Sequence, residues 1–209
     1  MPDVPTQQDG STDADAAAVD VELAAEAADL LSVARTVADE GRSYLSTVTE
    51  VASGANPDAA IPLLLLAVSD LLAAGARLGA MLDVVPPERF EPDIGPEPDV
   101  EALRLALANM LEGLDEYPEI VDPVLGPEIG TSSLSGDLVS IAGAVDQGLR
   151  HFEDGRVLEA LWWWQFSYLS SWGERASGAL RVLQVLLGHL RLDVDDDVAA
   201  EAEYDAIQG

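Results

Sequence analysis

The sequence predicts an all-α fold: a bundle of about five main helices with a tetratricopeptide-like helical hairpin toward the C-terminus, a long Pro-rich loop and disordered acidic tails. Three observations carry this. Apolar residues recur three and four apart and never settle into the two-residue alternation of strands. Pro and Gly cluster at a few places, cutting that pattern into helix-length pieces. Finally, 48% of the 209 residues are hydrophobic, enough to fill a core of that size.

Residues 1–18 hold Pro, Gln, Ser, Thr, Asp and Ala with almost no large apolar group, so burial there cannot offset chain entropy and a disordered acidic tail is expected. A single helical domain over residues 19–192 follows. Its first helix runs from Val19 to Ala52, with Gly41 as a weak point. Asn56, Pro57 and Asp58 supply a cap and a first-turn Pro for the second helix, which must kink or restart at Pro62 and end before Pro86 and Pro87. Residues 59–76 (AAIPLLLLAVSDLLAAGA) approach the length of a membrane span, but Asp70, Pro62, an acidic flank and the lack of an aromatic belt favour a helix surrounded by other helices. PPERFEPDIGPEPD, with five Pro in fourteen residues, is a loop. Asp99 caps a third helix reaching Tyr117, ahead of Pro118. An irregular stretch from Pro118 to Ser133 precedes a fourth helix, Ser135 to Glu153. After the turn at Asp154 and Gly155 comes the longest, Arg156 to Arg191, weakened at Gly173, Gly178 and Gly188. Around that turn Gly148, His151, Ala160 and Trp164 have tetratricopeptide-like spacing, though one hairpin is not an array. From Asp193 onward seven acids and no base make residues 193–209 an acidic C-terminal tail.

Ten basic residues, all Arg, face 39 acidic ones, a net charge of −29. Direct binding to nucleic acid or to an anionic membrane is therefore disfavoured. The absence of Cys excludes disulfides, thiolate nucleophiles, Cys-ligated zinc and iron–sulfur clusters. Neither His151 nor His189 has Glu three residues before it, as a dinuclear metal bundle requires. Asp193, Asp195, Asp197 and Glu201 imitate the start of a calcium loop, but Val198 stands where Gly should and Tyr204 replaces the closing Glu. No cofactor, metal site or catalytic residue is assigned. The N-terminus, Met1-Pro2-Asp3-Val4-Pro5, shows neither the positive nor the apolar region of a secretory signal, so a cytoplasmic location is expected.

The unusual segment is aromatic: Trp162, Trp163, Trp164, Phe166, Tyr168 and Trp172 crowd one helix. On a wheel of about 100° per residue, Leu158, Leu161, Trp162, Trp164, Phe166, Tyr168, Leu169 and Trp172 share one broad face, read as core. Trp163 falls on the other side with Glu159, Ser167, Ser170 and Glu174. Either another segment of the chain covers it or a partner does; Trp163, Glu159 and Glu174, with Arg89, Phe90 and Glu91 from the Pro-rich loop, form the candidate interaction set. Gln165 lies inside the apolar stripe, and a buried amide must find partners, in the backbone of a neighbour or in a ligand. Gln165, Trp172 and Arg175 are thus the candidate buried polar or pocket residues. Arg150, Arg156 and Arg175 are expected on carboxylates, and His151 in a local role at its helix end.

PLLLLAVSDLLAAGARLGAMLDVVPPERFEPDIGPEPD and GRVLEALWWWQFSYLSSWGERASGALRVLQVLLGHLRLD resemble the actinobacterial members of a helical family known as domain of unknown function 5063. The resemblance spans about residues 21 to 205 and is most distinctive where Trp172-Gly173-Glu174-Arg175 follows the Trp-rich core. It implies a soluble α-helical cytoplasmic protein and brings no activity. The residues favour a non-catalytic protein–protein interaction or adaptor module with an unknown protein partner. Two alternatives stand beside it: a magnesium-dependent hydrolase using Glu26, Asp29 and Asp70, and an acidic DNA mimic regulating a repair or replication protein.

Overall fold

The computed structural model describes residues 10–86, 95–96, 99–122 and 124–192, and these are mostly helical, with one small antiparallel hairpin. Helix α1 (Gly10–Ala52) begins before Val19, so residues 10–18, expected within a disordered tail, are helical. The reason lies in propensity: this stretch alternates Ala with Asp, and Ala costs least to order while early carboxylates suit the helix dipole. Gly41 does not break α1. It lets another helix close in, since a Cβ there would stand 2.8 Å from Val145 Cγ1.

A 3₁₀ turn (Pro57–Ala59) leads into α2 (Ala60–Ala80). Pro62 sits in the first turn, where its missing N–H would have had no intrahelical partner, so the helix restarts at Ala60 without a kink. The Asn56 side chain makes no capping bond; its carbonyl accepts the Ala59 N–H instead. Ile61, Leu64, Val68, Leu71 and Leu78 are buried on the face that meets α1 and helix α6 (Gly173–Leu192), each burial contributing roughly 1.5–3 kcal/mol. Among the described residues, α2 with its leading turn is the one segment long and apolar enough to cross a membrane; Asp70 in its middle is exposed.

Helix α3 (Glu101–Met110) starts where Asp99 Oδ1 accepts the Glu101 N–H at 3.1 Å. It stops well short of Tyr117. Strands β1 (Glu116–Asp122) and β2 (Gly126–Ser133) form an antiparallel hairpin through the stretch expected to be irregular. Ser133 Oγ then caps α4 (Leu134–Glu153) by accepting the Gly136 N–H. Gly155, at φ +80°, turns the chain into α5 (Val157–Ser167). A π-helical turn (Tyr168–Trp172) joins α5 to α6, so the single long helix expected here carries a break in phase. Gly173 permits that turn, because a Cβ there would lie 2.6 Å from the Tyr168 carbonyl oxygen. One apolar core gathers Tyr44, Trp164, Trp172 and the buried leucines of α2 to α4.

Candidate functional site

The α4–α5 hairpin decides which way the aromatic helix faces. Gly148 has no side chain, so α5 approaches until Trp164 Nε1 lies 2.0 Å from where a Gly148 Cβ would be. At that range two consecutive indoles donate to the α4 backbone, Trp163 Nε1 to Ala144 O at 2.8 Å and Trp164 Nε1 to Val145 O at 3.1 Å. The row Glu159, Trp163, Ser167 is therefore turned inward: Glu159 is only 6% exposed and Trp163 is half-buried. This corrects the wheel reading of Trp163 and Glu159 as an outward face. Conversely Phe166, read as core, is 52% exposed, with Leu169 beside it and Trp162 stacked on it at 5.6 Å. Periodicity could not fix the phase because α5 is apolar nearly all round; the N–H handles of the indoles and the gap at Gly148 did. Glu174 is exposed, while Arg89, Phe90 and Glu91 lie outside the described residues.

Gln165 is buried and its amide is fully engaged by backbone. Its Oε1 accepts the Val84 N–H at 2.8 Å, and its Nε2 donates to Leu78 O at 2.8 Å and Leu82 O at 3.2 Å. One side chain thus caps the C-terminus of α2 and pins the extended segment after it. Trp172 is buried edge-on to Tyr168 at 4.8 Å, over Gly75 of α2.

A second polar cluster ties the hairpin to the bundle. Asp137, buried at the start of α4, accepts from Tyr117 OH at 2.6 Å, Ser132 Oγ at 3.1 Å and Arg175 Nη1 at 2.9 Å, uniting β1, β2 and α6. Burial, and then the hydrogen bond to Asp137, raise the Tyr117 phenol well above its ordinary value. Tyr44, whose OH donates to Leu138 O, is raised too, by burial first and by the Asp137 charge second. Both phenols stay protonated, and a small polar cleft of about 350 Å³ remains beside Arg175. Arg150 and Arg156 sit on Asp146 and Asp154, and His151 is buried where its carbonyl accepts the Arg156 N–H.

An apolar opening beside α5 is one that sequence reasoning did not single out. Residues 21–29 of α1 are exposed on all sides and buried positions begin only at Ala34, so the stripe Leu23, Ala27, Leu30, Leu31 runs beyond the bundle with part of its length uncovered. Against it stand Val157 and Leu158 at the start of α5 and the pinned segment Met81 to Val85. Together they enclose two adjoining hollows of about 470 Å³ and 360 Å³ that share Glu26, Leu30 and Leu158. Leu82 is 93% exposed at one margin. The polar lining is acidic: Glu26, Asp29 and Asp83. Glu26 and Asp29 are one turn apart as their spacing requires, but Asp70 is not among the lining residues, and no group of three His, Cys, Asp or Glu among the described residues could hold a metal ion.

A family model described as Domain of unknown function (DUF5063) matches residues 28–189. No curated protein matches the chain. Among solved structures, the crystal structure of protein BF1032 from Bacteroides fragilis, a structural genomics target, superimposes with a TM-score of 0.59 at 15% identity, covering 77% of this chain and 92% of that one. At that identity the likeness speaks for the fold alone. The helical core and both walls of the groove from Asp29 onward fall within the matched residues, and the chain belongs to the DUF5063 family.

Proposed function

We propose that the protein is a non-catalytic docking module that takes an amphipathic helix of a protein partner, apolar on one face and basic along its flanks, into the groove between α1, residues 81–85 and α5. One observation carries this reading: an open apolar groove whose polar lining is wholly acidic, in a protein of net charge −29. Apolar surface supplies the attraction, with anchors expected at helical spacing. The carboxylates select the partner, since a basic flank meets Glu26, Asp29 and Asp83 whereas an acidic one is repelled. The same charge argues against a second copy as occupant: residues 1–34 contain no base at all, so two such α1 helices would oppose carboxylate to carboxylate. This moves the proposed contact from Trp163 to Leu158 and Leu30. We place this activity in the cytoplasm, where no cofactor is needed for it.

The test is a titration of the full chain with an amphipathic helical peptide of Leu and Lys, and with its Leu and Glu counterpart. The Lys peptide should bind with an affinity that falls with salt, and the Glu peptide should not. Leu158→Ser and Leu23→Ser, which leave the charge unchanged, should weaken binding about tenfold or more. Equal binding by these variants would replace the groove with the acidic surface alone, as a DNA mimic requires.

A further inference from the structure

The β1–β2 hairpin ends in apolar side chains that the bundle does not cover. Val124 is 89% exposed, Leu125 86% and Ile129 72%, with Ile120 and Val121 about half exposed. Register explains how they are gathered. Pro118 has no N–H to give and its carbonyl accepts from Arg181 of α6, so Pro118 and Thr131 face each other as a pair without mutual hydrogen bonds. By alternation Ile120 and Ile129 are the next such pair, the kind whose side chains stand closest. They lie on the face opposite Tyr117, which is buried toward α4, and so point outward. At Pro118 the outer edge of β1 gives a visiting strand no ladder bond, because the N–H is missing and the carbonyl is taken by Arg181.

We infer that this tip is a second docking element, inserted into an apolar pocket with a basic rim on a protein partner. Charge picks the occupant. The hairpin segment carries Glu116, Glu119, Asp122 and Glu128 and no basic residue, which disfavours an anionic bilayer and a second copy of itself and suits a basic rim. The base of the hairpin, where Glu116 pairs with Ser133, meets the start of α4, while Leu158 of the groove follows soon after the end of that helix. The tip itself stands at the far end of β2 from Ser133, about 23 Å along the strand.

The experiment places a photo-crosslinking phenylalanine at Leu125, at Leu158 and, as a control, at exposed Ala73, in the full chain within its native host. The protein captured from Leu125 is purified and titrated with the unlabelled chain. The inference stands if the crosslink maps to an apolar pocket bordered by Lys or Arg, and if Val124→Ser with Leu125→Ser, at unchanged Tm, weakens that complex on the order of tenfold or more. It falls if Leu125 labels only a second copy, only lipid, or nothing above Ala73, or if the Ser variants bind as well as the wild type. Phosphatidylcholine vesicles that bind the wild type and not the Ser variants would also overturn it. Capture from Leu158 is scored separately, so the groove and the tip can fail one without the other.

Discussion

Replacing Gln165 with Leu should show what one buried amide does for this fold. The substitution removes three hydrogen bonds at once. They are unequal. Leu82 is 93% exposed, so water can take over its carbonyl, and that loss is close to nil. The Leu78 carbonyl keeps the Met81 N–H at 3.2 Å and loses only a net bond, about 0.5–1.5 kcal/mol. The Val84 N–H loses its acceptor in a partly buried place, costing about 1–3 kcal/mol. Leu in that position returns some apolar contact, leaving a net loss of about 2–3 kcal/mol and a drop in Tm of about 4–10 °C for a chain this long. Differential scanning calorimetry reads the total, and hydrogen exchange at Val84 reads the local release. Gln165→Glu adds a pH signature. A carboxylate facing two carbonyls has its pKa raised in the fold, so stability relative to wild type should be greatest below about pH 4.3 and be lost as pH rises through the folded value. A Tm for Gln165→Leu within about 1 °C of wild type would show that the segment after α2 is held by something else.

Three further outcomes follow from the packing. Gly148→Ala should cost about 2–4 kcal/mol, because its Cβ would overlap the Trp164 indole 2.0 Å away; a Tm near wild type would mean α5 can retreat from α4. Trp163→Ala should destabilise by about 2–3 kcal/mol and Trp163→Phe by less, since only the Ala variant also empties the contact with α4; a melting curve unchanged in both would restore Trp163 as a surface residue. With no Lys in the chain, the alkaline titration of its side chains reports Tyr. Raised phenols at Tyr44 and Tyr117 bind protons more tightly folded than unfolded, so their stabilisation is complete below about pH 10 and is lost as pH climbs toward their folded values. Absorbance titration of Tyr117→Phe should lose a late-titrating phenol, and the substitution should flatten the alkaline loss; loss of a phenol that titrates at the ordinary value would contradict the Asp137 cluster.

Helices were legible where residues make their own local case: Asp99 ahead of Glu101, Ser133 before α4, Gly155 in its turn. The hairpin was not. Its alternation of Tyr117, Glu119 and Val121 with Pro118 and Ile120 is brief and is broken up by Pro118, Pro123 and Pro127, so it looks irregular until its two strands are paired. The start of α1 was missed because burial was weighed and Ala propensity was not. At the candidate site, the sequence pointed to the right helix and the wrong side of it. The side was set by a void at Gly148 and by indole donors reaching Ala144 and Val145, features of one helix pair that no single wheel contains. Gln165 was recognisable as a buried amide in need of partners, but Leu78, Leu82 and Val84 are more than eighty residues away in the chain.

Hydrogen exchange of the full chain, with and without the Leu and Lys peptide, bears most directly on where a partner sits. Residues 21–29 of α1 are exposed throughout and their helix has little tertiary support, so they should exchange rapidly in the unbound protein. Docking in the groove requires that binding slow exchange along α1 from Leu23 to Val33 and along Met81 to Val85 while leaving α3 and the outer turns of α6 unchanged. Protection scattered over the acidic surface, with the groove still exchanging at its unbound rate, would contradict it.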